Sequence, residues 1–246
     1  MTAAAAPPVV ATIDDLHLAE DPDARLAAAA DGASRLIVRV PDRQTDGIRC
    51  LGVEDVATLL RAHGRIVEVG VTPAGTICGA IDVVRRRGKV AVWTGPAIGP
   101  WHPSDVFQRG LGGSETAAVR ISDHLADMRY LVTLYGDFQD KAGLVADVLC
   151  RRYQEFDPSK HLDVLVGFRN ATLFDRRPNA DFTCLWLEDL APAEGLTPGR
   201  AANIDKICAV SNWHAAQVRR VHPWLEESHV VACRNGIHLP YFRDED

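Results

Sequence analysis

The sequence predicts an α/β fold in which helices cover a parallel sheet. Strand-like and helix-like segments alternate along nearly all of the 246 residues, the pattern of strands joined by helical crossovers. Most of the strand segments are also apolar along their length, as expected when both faces of a sheet are covered. The basic run Arg85-Arg86-Arg87-Gly88-Lys89 then divides this rhythm in two, giving expected units at 1–88 and 89–246.

Taken in order, Val9–Ile13 and Arg35–Val40 read as strands, the second ending at Pro41. Between them Asp21–Asp31 reads as an alanine-rich helix, with Asp21 a candidate N-cap and Pro22 at the first helical position. Val53–His63 places Val53, Val56, Leu59 and Leu60 at helical spacing and stops at Gly64. Arg65–Val71 and Ile77–Val84 form a predicted hairpin around Pro73–Gly75. The basic run that follows reads as a short solvated connection with a turn-forming glycine.

Beyond it Lys89–Thr94 is a strand, and a Gly/Pro/Trp-rich loop runs to Gly113. Glu115–Asp127 reads as a helix with Ala118, Ile121, Leu125 and Met128 on one face. Ser114 is placed to cap it, and Glu115 lies at the positive end of its dipole. Tyr130–Tyr135, Leu162–Val166, Phe182–Leu187 and Lys206–Val210 are the following strands. Trp213–Val221 is a helix and Val230–Cys233 a short last strand.

Composition sets the class. A hydrophobic share of 47 % with 24 % charged residues belongs to an ordinary globular domain. A formal charge of -6 disfavours non-specific nucleic-acid binding, which needs basic surface to neutralise phosphates. The six cysteines (Cys50, Cys78, Cys150, Cys184, Cys208, Cys233) have neither disulfide-framework nor zinc-site spacing, so they are expected to be inert packed thiols, with no metal bound. The first residues lack the basic and apolar regions of a signal peptide, and no run approaches the ~18 apolar residues of a membrane span. The expectation is a cytoplasmic chain that does not span a membrane.

The most informative stretch runs from Val90 to Asp137: strand, glycine-rich loop, helix, strand. Gly110, Gly112 and Gly113 free the backbone to approach a ligand, and the helix start behind them offers unpaired N–H groups and partial positive charge. The loop is about twenty residues long, a length usually reserved for functional loops. Trp101 within it supplies a flat apolar face of the kind that stacks on sugar rings.

This stretch resembles the opening of retaining GT-B glycosyltransferases of the glycogen-synthase-like and mannosyltransferase-like superfamily: a strand, a Gly-Gly loop, a helix beginning Ser-Glu, then a second strand ending in Asp. Three later stretches agree with that family in order, namely Phe182-TCLWLEDL, Ile207-CAVSNWHAAQV and Val231-ACRNGIHLPYF. The resemblance implies a Rossmann-like acceptor-side domain over 89–246. It implies a nucleotide-sugar donor and a glycan or lipid-linked acceptor, with no other cofactor. The implied substrate-binding residues are Gly112, Gly113, Ser114, Glu115, Trp101, Glu188, Asp189, His214 and Asn235. Catalytic residues are not assigned by it. Glu188 stands where the family often has His, and His238 where it has Asp. The family's donor half has no counterpart here, so the expectation is an incomplete enzyme, active only when the donor-binding domain is supplied separately.

Residues 9–88 more weakly resemble the carboxyl half of a class I methyltransferase, through Val9-VATIDDLHLAEDPDARLAAAADGASRLIVRVP and Val53-EDVATLLRAHGRIVEV. The glycine-rich turn that would hold S-adenosylmethionine has no counterpart before Gly88, so this partial methyltransferase-like unit is expected to bind no cofactor. Two other readings stand beside the transferase. One is a glycan- or partner-binding remnant without turnover. The other is a dinucleotide-binding oxidoreductase domain, suggested by Gly110-x-Gly112 and Asp137. Against it, Gly110 lies sixteen residues beyond Thr94 rather than directly after the strand, and Glu115 takes the third glycine's place.

Overall fold

The fold is described from a computed structural model over residues 9–14, 16–41, 52–73, 75–108, 110–189 and 195–236. Cys50, Ala74, His238 and Phe242 lie outside the described residues. The chain divides into two compact units, one of residues 1–89 with 122–133 and 141–150, the other of 90–121, 134–140 and 151–246.

The first unit opens with β1 (Val10–Ile13), α1 (Pro22–Ala30) and β2 (Arg35–Pro41). Asp21 caps α1 by accepting the Ala24 N–H at 3.1 Å, and Pro22 occupies its first turn, where no amide hydrogen is missed. α2 (Val53–His63) buries Val56, Ala57 and Leu60, and the hairpin β3 (Gly64–Val71) and β4 (Thr76–Val83) follows it. The four strands form one sheet in the order β1-β2-β4-β3. β1 and β2 are parallel, whereas β4 runs antiparallel to both its neighbours, so this sheet is mixed rather than parallel. β2 alternates as a one-sided strand does: Leu36, Val38 and Val40 are fully buried, while Arg35 and Arg39 face outward. The core beneath them gathers Ile13, Leu26, Val56, Leu60, Ile77 and Ile81.

The second sheet has eight strands, β12-β11-β10-β9-β5-β6-β8-β7. In chain order they are β5 (Lys89–Trp93), β6 (Leu131–Gly136), β7 (Gly143–Val145), β8 (Val148–Arg152), β9 (Leu162–Phe168), β10 (Ala180–Leu187), β11 (Lys206–Ala209) and β12 (Val230–Ala232). Strands β5, β9, β10, β11 and β12 are mutually parallel. β7 and β8 form an antiparallel hairpin that the sequence reading missed, so this sheet too is mixed. Four helices accompany the strands: α3 (Asp105–Gln108), α4 (Gly113–Asp127), α5 (Pro198–Ala201) and α6 (Asn212–Val221). On one face α6 packs Ala215 and Val218 onto a core that includes Ala91, Leu165, Leu185 and Ile207.

Three sequence expectations are corrected. α4 begins at Gly113, and the Thr116 N–H already bonds to the Gly112 carbonyl, so Ser114 lies inside the first turn and does not cap it. The buried face of α4 is Ala118, Val119, Ser122 and Ala126, while Ile121 and Leu125 are half-buried and Met128 is exposed. The small residues at i, i+4 and i+8 carry the packing, because they admit close approach where larger apolar ones do not.

The basic run is likewise more than a solvated connection. Arg85, Arg87 and Lys89 are exposed, but the Arg86 side chain is only 7 % exposed. Its guanidinium makes a two-pronged ion pair with Asp147 (2.7 and 2.8 Å) and donates to the Arg61 and Gly64 carbonyls. Arg61, itself buried, donates to the carbonyls of Asp147 and Val132. Asp147 sits at the turn of the β7–β8 hairpin beside Ala146, whose φ of +50° is left-handed. All of these residues belong to the first compact unit. Among the described residues no helix is long and apolar enough to cross a membrane.

Candidate functional site

In an open parallel sheet, ligands settle outside the carboxyl ends of the strands, at the point where the connections reverse direction. Here that point lies between β5 and β9. The chain leaves β5 through α4 to β6 on one side, then returns to β9 on the other and continues outward through β10, β11 and β12.

Two residues far apart in sequence meet there. Arg169, directly after β9, donates to Glu115 in the first turn of α4 at 2.9 Å. Glu115 was a sequence candidate; Arg169 was not. Its backbone has φ +62°, a left-handed conformation that a side-chain-bearing residue adopts only when its surroundings impose it, and its amide donates to the Trp186 carbonyl at 2.8 Å. The positive φ is invisible in sequence, as is an ion pair between positions 54 apart.

The glycines around this pair have separate tasks. Gly110 has φ +75° and supplies a bend that other residues resist, and Gly95, at φ +69°, lies so close over the Trp93 ring that a Cβ would be 2.6 Å from it. Gly112 and Gly113 are exposed and have no such backbone demand. A Cβ on Gly113 would meet nothing within 4 Å, and one on Gly112 would press on the Glu115 carboxylate. Their openness leaves the first N–H groups of α4 reachable from solvent. Arg169 offsets the Glu115 charge, so this helix start is not closed to an electron-rich ligand.

A second group of candidates assembles at the carboxyl end of β11. The Asn235 Nδ2 donates to Glu188 Oε1 at 3.1 Å. Glu188 follows β10 and Asn235 follows β12, which flank β11, so this bond spans the end of β11. The chain there turns into α6 through Ser211, whose hydroxyl accepts the His214 N–H at 3.0 Å. The His214 ring is a different matter. The residue is 1 % exposed, and neither ring nitrogen has a partner among the described residues. Burying an unsatisfied polar atom costs roughly 1–3 kcal/mol, so the His214 ring carries unused hydrogen-bonding capacity among the described residues. Trp186 on β10 likewise buries an unpaired indole N–H.

The remaining candidates do not join these groups. Asp189 is exposed. Trp101 is 4 % exposed and stands edge-on to Phe138, with ring centroids 4.7 Å apart, while its amide bonds to the Asp137 carbonyl. It packs among residues that follow β6, and no ring face is left open for stacking on a sugar. Ser114 is half-buried in the first turn of α4. Among the described residues no set of three or more His, Cys, Asp or Glu side chains is grouped to hold a metal ion. Paired donors and acceptors of this kind, Arg169 with Glu115 and Asn235 with Glu188, suit a ligand rich in hydroxyl groups, each of which both donates and accepts. No family model matches the chain, and no curated protein matches it.

Proposed function

We propose that residues 89–236 form the acceptor-side half of a GT-B glycosyltransferase, holding a glycan or glycan-like acceptor outside the carboxyl ends of β5, β9, β10 and β11. The observation that carries this reading is the Arg169–Glu115 pair set across the reversal point of the sheet, beside the open start of α4. An Arg–carboxylate pair presents donors and an acceptor within a few ångströms, which fits adjacent sugar hydroxyls. Transfer requires acceptor and activated donor held together, so in this reading turnover needs a domain that binds a nucleotide-sugar. In this reading residues 9–88 carry no part of the acceptor site, since none of the candidate residues lies there.

Calorimetric titration with a panel of neutral and lipid-linked oligosaccharides is the direct test. At least one member should bind, and Arg169→Ala should weaken that binding about tenfold or more, the scale of a lost hydrogen bond to a charged group. Joined to a nucleotide-sugar-binding domain, the chain should release nucleotide only when that acceptor is present. Absence of binding across the panel, with no acceptor-dependent nucleotide release in the fusion, would remove the proposal.

A further inference from the structure

Three of the six thiols lie in a line. Cys184 is on β10, Cys208 on β11, and Cys233 directly follows β12. Trp186 is opposite Cys208, and Ala209 is opposite Ala232, so each thiol lies one strand over and two residues further along than the last. Residues two apart share a face, which places all three on the same side of the sheet. Cys184 Sγ is 3.2 Å from Cys208 Sγ, and Cys233 continues the same diagonal on the other side of Cys208. This end of the sheet is thinly covered on that face: Phe182 is 40 % and Val231 36 % exposed, and Cys208 and Cys233 are half-buried. The expectation of six packed thiols is met only in part here, since Cys208 and Cys233 are half-buried. It holds for Cys150, which burial pushes up to about 12 and so keeps protonated, with Arg61 pulling the other way.

The thiols are not equivalent. The Cys184 S–H holds the Cys208 sulfur below the ordinary thiol range, burial opposes this, and the Cys233 S–H adds to it. Cys184 is itself pushed well up by that bond and by burial, and Cys233 is raised by burial. Cys208 is thus the member that ionises first and the nucleophile of the group.

We propose that Cys208 is a site of oxidation by hydroperoxides, closing a disulfide with Cys233. The Cys208 thiolate attacks one peroxide oxygen, the O–O bond breaks, and the other oxygen leaves as alcohol or water. Cys208 is then a sulfenic acid. The Cys233 sulfur attacks it, an S–S bond forms, the S–O bond breaks, and hydroxide leaves as water with the Cys233 proton. Two thiols lose two electrons, and one hydroperoxide is reduced to alcohol and water. Cys184 is the positioning residue that favours the thiolate. Geometry selects Cys233 over Cys184 as the resolving thiol. A disulfide needs Cα atoms about 4.4–6.8 Å apart, and an offset of two residues between parallel strands about 4.8 Å apart, at about 3.3 Å rise per residue, is wider, about 8 Å. Cys184 and Cys208 are both fixed within paired strands. Cys233 lies past the end of edge strand β12, where its amide bonds to the Ala209 carbonyl, so it can move inward at the loss of that one bond.

The test treats the folded chain with hydrogen peroxide, blocks free thiols by alkylation, and digests with trypsin without reduction. The three thiols fall on separate peptides, 177–200, 207–219 and 221–234. The expected product is 207–219 linked to 221–234, lost on reduction. Cys184→Ser should slow its formation several-fold. Cys233→Ser, at the exposed strand end, should instead accumulate a Cys208 sulfenic acid that dimedone traps. Linkage of 207–219 to 177–200, or oxidation of Cys78 while Cys208 remains alkylatable, would overturn the proposal, as would a Cys233→Ser chain that gives no dimedone adduct on 207–219.

Discussion

The two sheets solve burial differently. In β2 the buried residues alternate with outward-facing arginines, and the strands beside it end in an antiparallel hairpin. In β5 every residue from Val90 to Trp93 is buried, because both faces of that strand are covered. A one-sided sheet specifies its register through alternation, whereas a two-sided one spends its specificity at strand ends, where polar groups can still reach solvent. The candidate residues follow this division. Arg169, Glu188, His214 and Asn235 all sit at or just past carboxyl ends in the second sheet, and none of the sequence candidates lies in the first.

The first compact unit ties residues after the one-sided sheet to the β7–β8 turn through a buried ion pair, Arg86 with Asp147. The largest expected effect is therefore Arg86→Ala. It leaves the Asp147 carboxylate largely buried without its cation and should lower stability by about 3–5 kcal/mol, read from urea unfolding of the full chain. A loss under 1 kcal/mol would mean that the first unit holds together through apolar packing alone.

A smaller effect is expected for the corresponding polar contact of the two-sided sheet. The Asp205 carboxylate accepts from the Thr183 N–H (2.7 Å), the Thr183 hydroxyl (2.9 Å) and the Arg177 guanidinium (2.9 Å). Burial raises it, but Arg177 and Thr183 outweigh burial and hold Asp205 below the usual carboxylate range. A carboxyl depressed on folding adds stability that is fully present above its unfolded value, about 3.9. That stability is lost as pH falls through the lower folded value. Asp205→Asn should cost about 1 kcal/mol at neutral pH, because solvent screens the pair. The difference from the parent should shrink at pH 3 and below. An equal difference at pH 7 and pH 2 would assign the effect to shape instead of charge.

The smallest effect on stability belongs to the site itself. Gly113 has no left-handed φ and no neighbour within 4 Å of a Cβ, so Gly113→Ala should change the unfolding free energy by less than about 0.5 kcal/mol. On the proposed function, acceptor binding should nevertheless weaken, since the methyl group stands over the first turn of α4. Retained affinity would leave the glycine pair a structural turn.

Helix and strand positions were largely legible because their signals are local. Asp21-Pro22 announced α1, and the stop at Gly64 ended α2 at His63. The β7–β8 hairpin was missed because its turn is Ala146-Asp147, with an alanine in the left-handed region where sequence rules look for glycine or asparagine. From sequence Trp101 reads as a site residue, because a tryptophan in a long loop advertises stacking. What the loop contains is a tryptophan covering Phe138, and only tertiary packing distinguishes the two. Arg169 could not be found at all, since its relevance comes from the order of strands and not from its neighbours in the chain. The glycine-rich start of α4 was readable as a candidate; the ion pair that gives it a partner was not.

The position of β5 also has a consequence in time. Val90 pairs with Val164, 74 residues later, so during synthesis at about 5–20 residues per second this strand waits roughly 4–15 s for β9. β6 arrives sooner and covers one of its edges. Until β9 emerges, an apolar ribbon from Val90 to Trp93 keeps its other edge unpaired, and that interval is when the nascent chain is most exposed to pairing with a second copy of itself.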